Sequence, residues 1–478
     1  MLQIQNYING QLVEPNAKQY LDNYNPSNGM VYGTIPDSDA SDIENAVLAA
    51  KSARLAWSAI VPEERFKILN SIAELIDTKR DELALAESID QGKPVWLAKT
   101  EITRAAQNMR FFATACMHYN ESSNIMPGHA VNYTNRHPLG IVACISPWNL
   151  PLYLFTWKIA PALATGNCVI AKPSEITPAS AFLFSKICIE AGLPAGVLNI
   201  VHGTGASIGD CITTHKAIKA ISFTGGTNTG KRIAGLAAPL FKKLSLELGG
   251  KNPNIIFEDA DLDKAAATSV NSSFLNQGEI CLCGSRIYVQ RSIYHKFKEK
   301  FIEKVQKLNV GNPLEESSTM GAIVSKAHFD KILGYIEIAK AEGATFLCGG
   351  DAKKVEGMEN GWYINPTVIE GLKQDSICVQ EVIFGPVVSI MPFDTVDEVV
   401  ALANDTAYGL AATVWTQNVQ RAHNVAAALE SGIVWVNCWL LRDLRTPFGG
   451  MKDSGMGREG GFNAMNFFTE QQNVCIKL

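Results

Sequence analysis

From about residue 140 onward, short β-branched runs alternate with stretches of helical period, and this alternation constrains the fold more than any other feature of the chain. The runs are Ile141 to Ser146, Cys168 to Lys172, Val197 to His202 and Ala220 to Thr224. Between them, Thr156 to Ala164 and Ile176 to Ala191 carry apolar residues three and four apart and are long enough to cross back over a sheet. Parallel strands need such crossovers, so the expected fold class is α/β, beginning with a doubly wound, Rossmann-like domain. Residues 41 to 118 read as long amphipathic helices, for example Glu63 to Leu75, expected to pack against that sheet. A second series starts near Asn252 and runs through Arg286 to Gln290, Val387 to Pro392 and Ile433 to Val436, with helices at 293–307 and 325–342. That predicts a second α/β domain. No repeat or polar linker separates the two, which places the boundary at Leu248-Gly249-Gly250-Lys251, with a cleft where a site can form.

Composition narrows the function classes. A chain of 478 residues, 47% of them hydrophobic, can bury two or three cores. The net charge of -5 and the absence of any Lys/Arg cluster exclude nucleic acid and membrane surfaces as partners. The N-terminal stretch has no basic segment followed by an apolar run, and no segment reaches the roughly 18 apolar residues of a membrane span, so a cytoplasmic enzyme is expected. Eleven cysteines without a repeating frame point to reduced thiols. Cys281 and Cys283 are one residue apart and no Cys or His group elsewhere completes a tetrahedral set, so no metal is expected.

Several segments carry chemistry. Gly278-Glu279-Ile280-Cys281 places a thiol at a helix-to-loop break, although a cysteine there can equally be a small core residue. Leu246-Glu247-Leu248-Gly249-Gly250-Lys251 puts one carboxylate in an apolar strand end, where desolvation raises its pKa toward that of a general base. Ser146-Pro147-Trp148-Asn149-Leu150-Pro151 directly follows a strand and projects at the carboxyl edge of the sheet, where ligands bind. Asn149 offers an amide donor there, or serves as a turn residue between prolines. Lys172-Pro173-Ser174-Glu175 ends the next strand, and a Glu so placed can accept both hydroxyls of an adenosine ribose, or can simply be solvated. Phe223-Thr224-Gly225-Gly226-Thr227-Asn228-Thr229-Gly230 joins a strand to a helix whose first amides can approach a pyrophosphate. A second glycine run, from Gly203 through Gly205 to Gly209, has one residue too many for the usual dinucleotide spacing.

In this order the motifs resemble the aldehyde dehydrogenase superfamily, from Tyr7-Ile8-Asn9-Gly10 to Phe467-Phe468-Thr469. The resemblance implies an NAD-binding domain over 1–120 and 139–249, a catalytic domain over 250–459, and a small β oligomerisation domain from 121–138 and 460–478. Such subunits form homo-oligomers, dimers or tetramers. It implies Cys281 as nucleophile, Glu247 as the base for the hydrolytic water, and Asn149 with the Cys281 amide as oxyanion donors. Around NAD it implies Ile145, Ser146 and Trp148 after the first strand, Lys172, Ser174 and Glu175 after the second, and the Gly205 and Gly209 run. It adds Phe223, Thr224, Gly225 and Gly226 at the pyrophosphate turn, with Leu248 and Phe384 toward the nicotinamide. Glu175 favours NAD, since a 2'-phosphate would meet its charge. The implied reaction is thiol attack on an aldehyde, hydride transfer from the thiohemiacetal, and hydrolysis of a thioester. Glu247 argues against a coenzyme A-acylating relative, which manages without that base.

Two positions depart from the family pattern. The carboxylate that usually precedes Ile-Phe-Gly-Pro is Val382, in Glu381-Val382-Ile383-Phe384-Gly385-Pro386, and on a strand the neighbouring Glu381 would point the other way. Gly226 stands where a serine is common. Within the superfamily, the branch acting on 2-aminomuconic semialdehyde is the one most resembled, through Ile145 to Tyr153, Glu279-Ile280-Cys281-Leu282-Cys283 and Asn437-Cys438-Trp439-Leu440-Leu441-Arg442. Arg442, with Arg104 on the helix at the substrate entrance, is then expected to hold a substrate carboxylate. These arginines can alternatively pair with Asp443 or surface acids, and Arg445 and Arg110 are the ones expected to be structural. A general dehydrogenase of retinal or aliphatic aldehydes, or a non-catalytic structural relative, are the alternative functions.

Overall fold

Strands Ile141–Ile145, Cys168–Lys172 and Leu198–Ile200 are buried at every position in the computed structural model, which describes residues 1–478. Strands with no solvated face must be covered on both sides, and their β-branched side chains suit that environment. With Ile218–Thr224 and Lys243–Glu247 they form a parallel array in the spatial order Lys243–Glu247, Ile218–Thr224, Ile141–Ile145, Cys168–Lys172, Leu198–Ile200. The order reverses between Ile141–Ile145 and Ile218–Thr224. In a doubly wound sheet that reversal opens a crevice beyond the carboxyl ends of the two strands. The segments leaving there are those that begin at Ser146 and Gly225.

Antiparallel strands Asn6–Ile8 and Gln11–Val13 extend one edge of this sheet, and Gly455–Met456 pairs with Lys243–Glu247 at the other, with Gly455 opposite Glu247. The chain thus returns to the first sheet from within 250–459, the span assigned in sequence to the second domain. Of the helices between 41 and 118, only Ala40–Ala59 lies on the sheet; Pro62–Thr78 and Val95–Ala115 pack on Pro151–Ala164. The reason is that Pro151–Ala164 is buried on every side and needs an outer layer of its own.

The second sheet runs Thr345–Cys348, Thr367–Glu370, Val387–Phe393, Arg286–Gln290, Pro253–Ile256, Ala411–Trp415, Ile433–Val436, all parallel except the Thr345–Cys348 edge. Separate apolar cores cover its two faces. Residues 248–252 connect the end of Lys243–Glu247 to the start of Pro253–Ile256, so the carboxyl edge of the first sheet faces the amino edge of the second. A third sheet pairs Thr469–Lys477 with Ala130–Pro138 and then Ser123–Met126, whose residues are all exposed.

Candidate active site

Two cavities occupy the crevice between the facing edges, and they meet at Cys281. The larger, about 650 Å³, is bordered by Trp148, Asn149, the Gly225 turn and Phe384; the smaller, about 90 Å³, by Tyr153, Glu247, Phe448, Arg104 and Arg442. Cys281, Thr224 and Leu248 border both.

The thiol is set in place by a tightly turned loop. Helix Leu262–Phe274 ends, and Asn276, Gln277 and Gly278 then take φ of 52°, 57° and 73°. Left-handed backbone at two non-glycine residues costs about 1–3 kcal/mol each and persists only where the surroundings enforce it. Here the Gln277 carboxamide donates to the Ala322 carbonyl at 3.1 Å and accepts from the Gly321 amide at 3.3 Å, while Asn276 Nδ2 donates to the Asn149 carbonyl at 3.0 Å. A Cβ on Gly278 would lie 2.4 Å from the Gly385 carbonyl oxygen, so glycine is required where the Cys281 loop touches the Phe384 loop.

Asn149 Nδ2 donates to the Glu279 carbonyl at 2.8 Å, and its own carbonyl accepts from Lys93 Nζ at 2.9 Å. Lys93 also pairs with Glu101, both buried. One of the two carboxamide N–H bonds is thus taken and the other is available to the cavity. Glu247 ends its strand buried, with neither carboxylate oxygen hydrogen-bonded. Burial, reinforced by the nearby Glu459 charge, pushes its carboxyl well above the usual range. Burial also pushes the Cys281 thiol up to about 12, with the Glu247 charge adding to it. Burial thus disfavours the charged form of both groups that border the smaller cavity. Behind them, Lys158 Nζ donates to Glu459 Oε1 at 2.7 Å and to Ser222 Oγ at 3.1 Å. Neither Lys158 nor Glu459 stood out in sequence, though a lysine as the one charged residue of the otherwise largely apolar helix Pro151–Ala164 was a signal that it had a buried partner.

In the larger cavity the Trp148 ring meets Phe384 edge-on at 5.3 Å and His328 at 5.1 Å. His328 Nε2 donates to the Phe384 carbonyl at 2.7 Å, holding a residue with φ 61°. Burial lowers this imidazole to about 4, so it is neutral. The cavity suits a dinucleotide: the Thr224 hydroxyl is buried without a partner, and Gly226 caps helix Thr227–Ala237 with open space around its Cα. A Cβ on Gly225 would lie 2.4 Å from the Phe223 ring. Lys172, Ser174, Glu175, Gly205 and Gly209 do not border this cavity; three of them meet beyond the next strand, where Lys172 Nζ donates to Glu175 Oε2 at 2.9 Å and the Gly205 amide to Glu175 Oε1 at 3.4 Å, and Gly209 lies within helix Gly205–Thr214. Although burial works the other way, Lys172 holds Glu175 below the usual carboxylate range. Ser174 Oγ accepts from the Ile176 amide, and Ile145 and Ser146 are buried at the end of the central strand.

This arrangement is matched by known proteins along the whole chain, and the model of the aldehyde dehydrogenase family matches residues 12–474. The chain belongs to the aldehyde dehydrogenase family. It is 50% identical over 482 residues to the 2-aminomuconic semialdehyde dehydrogenase of Bos taurus, covering 100% of this chain and 99% of that protein. It is 44% identical over 486 residues to the 2-aminomuconic 6-semialdehyde dehydrogenase of a Pseudomonas species, covering 100% and 99%. An NAD+ complex of an aldehyde dehydrogenase from Bacillus cereus superposes with TM-score 0.97 at 39% identity, covering 100% of this chain and 97% of that one.

One expectation for this aldehyde dehydrogenase is corrected. Residues 381–386 are not a strand; the strand begins at Val387, and Glu381 caps the short helix Ile377–Gln380. Glu381 itself is extended, with φ -92° and ψ 154°, and exposed, the left-handed residue being Phe384 at φ 61°, and Glu381 borders the same cavity as Val382 and Phe384. The arginines also separate by partner. Arg445 Nη2 pairs with Asp443 at 2.6 Å and Arg110 Nη2 with Asp77 at 2.8 Å. Arg442 and Arg104 form no ion pair; Arg442 Nη1 donates to Tyr153 Oη at 2.7 Å, and its guanidinium lies over Phe448 at 4.2 Å.

Proposed function

We propose that this aldehyde dehydrogenase oxidises a carboxylate-bearing semialdehyde of the 2-aminomuconic type to the corresponding acid, with NAD as hydride acceptor. The observation that carries the reading is the single thiol, Cys281, bordering both cavities beside an unpartnered buried carboxyl, Glu247. An aldehyde in the smaller cavity meets Cys281 Sγ. The S–C bond forms as the thiol proton passes to ionised Glu247, and the free Asn149 N–H and the Cys281 amide hold the developing oxyanion. NAD, when bound, supplies the acceptor for the hydride leaving the thiohemiacetal carbon. After Glu247 has released its proton, it takes one from water; the water oxygen attacks the thioester, the C–S bond breaks, and the carboxylate departs. The amides of the Gly225 turn would take the pyrophosphate, Lys172 and Glu175 the adenosine ribose, and Trp148 and Phe384 the nicotinamide.

For the substrate class, support comes from Arg442 and Arg104, cations on the smaller cavity that form no ion pair with Glu101, Glu247 or Glu459 on the same wall, two of which are held by lysines. A guanidinium presents five N–H donors, and Arg442 commits one of them to Tyr153. A substrate carboxylate completes the set. The catalysed species is a homo-oligomer, dimer or tetramer, and the exposed apolar side chains Ile125, Met126 and Ile476 on the third sheet offer the contact. We place the enzyme in the cytoplasm, in tryptophan catabolism; no helix is long and apolar enough to cross a membrane. The test follows NADH formation with aldehydes of equal length, with and without a terminal carboxylate. The expected result is a marked preference in kcat/KM for the carboxylate; equal efficiency on the two overturns the substrate class.

A further inference from the structure

Both ends of Asn149 are tied, directly or through one intermediary, to a single tight turn in the outer helical layer. Helix Arg80–Gln91 stops at Gly92, whose φ of 88° lies in the left-handed region, and helix Val95–Ala115 begins three residues later. A Cβ on Gly92 would lie 2.7 Å from the Ala322 carbonyl oxygen, so glycine is required between the two flanking residues, Gln91 and Lys93. Both of these are fully buried. Lys93 Nζ donates to the Asn149 carbonyl, which also accepts from Asn276 Nδ2, and two donors fix the plane of the peptide joining Asn149 to Leu150. Gln91 Nε2 donates to Glu279 Oε2 at 2.7 Å, and the Val324 amide to Glu279 Oε1 at 3.2 Å. Glu279 is thereby held at its side chain while its own carbonyl takes one N–H of the Asn149 carboxamide.

We infer that the turn Gln91-Gly92-Lys93 positions the oxyanion donor: Lys93 is a positioning residue for the main chain of Asn149, and Gln91 for the carbonyl that receives its side chain. The inference rests on the reading of Asn149 as that donor. A carboxamide with one N–H fixed on the Glu279 carbonyl can direct the other only where the plane of the amide allows, so the backbone and that carbonyl together set the aim. A lysine suits the place for a second reason. Burial raises the carboxyls of Glu87, Glu101 and Glu279, and the Lys93 charge works against that rise in all three. A neutral donor could reach the Asn149 carbonyl but would leave these buried acids without that charge. Neither Gln91 nor Lys93 borders either cavity, so an effect on turnover passes through a residue that does, and the bordering partners of Lys93 are Asn149 and Glu101.

A double-mutant cycle reads the route. With a carboxylate-bearing semialdehyde, Lys93→Met is expected to lower kcat/KM about ten- to hundredfold, less than the full loss of an oxyanion donor. In the Asn149→Ala background the same change should cost less than about twofold, because the group it aims is gone. NAD titrated calorimetrically should bind within about twofold of wild type in both backgrounds. The same factor in both backgrounds, no loss in the first, or a comparable loss of NAD affinity overturns the inference and makes Lys93 a structural lysine or one acting through Glu101. Because Lys93→Met takes the charge from three buried carboxylates, Gln91→Met, which removes a donor and no charge, is carried through the same cycle. A loss of about three- to tenfold that disappears in the Asn149→Ala background supports the turn, and an additive loss overturns it, whether or not Lys93→Met folds. Asn149→Ala that retains full kcat/KM would instead overturn the oxyanion reading beneath, so the two failures are distinguishable.

Discussion

The two cavities meeting at Cys281 are built on opposite plans. The smaller, about 90 Å³, is walled by side chains: Tyr153, Leu154, Leu440 and Phe448 exclude water around Glu247, Arg104 and Arg442. The larger, about 650 Å³, draws much of its wall from loop backbone, at Gly225, Gly226 and Gly249. The contrast explains where the chain departs from its family. Gly226 and Val382 both lie on the larger cavity, where amides contributed by the fold survive a side-chain change. In the smaller cavity Glu247 accepts no hydrogen bond and Arg104 and Arg442 form no ion pair, while Glu101 and Glu459 are held by Lys93 and Lys158, so in a low-dielectric setting changes at the first three are expected to fall on the substrate.

The sharpest break of this contrast removes the thiol at which the two cavities meet. Cys281→Ala is expected to abolish turnover while NAD titrates as in wild type, because the thioester needs that sulfur and the cofactor cavity does not. Residual turnover above background would move the nucleophile to Cys283. Next in size, Glu247→Gln should slow the steady state by about 10² to 10⁴, the usual contribution of a general base. Burial and Glu459 raise the Glu247 carboxyl, so its base form appears only as pH climbs through that raised value, and the wild-type rate should rise with pH over that window. The glutamine variant should lose that rise. A variant with an unaltered pH profile would remove Glu247 from the role.

Smaller and more selective effects belong to the arginines. Arg442→Ala should raise KM for a muconate-type semialdehyde by ~10 to 1000-fold, corresponding to roughly 1.5 to 4 kcal/mol, with Arg104→Ala doing less. A neutral aldehyde of similar length should be affected little in either variant. Equal losses on both substrates would make the arginines structural and would return simple aldehydes to first place.

Much of this could be read from local patterns. The β-branched runs and the helical periods between them dictate a doubly wound sheet, because parallel strands buried on both faces tolerate little else. Ser146, Lys172, Thr224 and Glu247 stand at or just past strand ends, and strand ends are visible in sequence, so the edge of the sheet that binds was legible too. Periodicity records whether a side chain is buried, however, and not what it meets. Arg442 has Asp443 beside it in the chain, yet Asp443 pairs with Arg445, and packing against Tyr153 and Phe448 leaves Arg442 on the wall of the smaller cavity. Lys158 finds Glu459 across 301 residues, a pairing that no local pattern encodes. Partner choice among buried charges depends on which elements the fold brings together, and that was decided by tertiary contact alone.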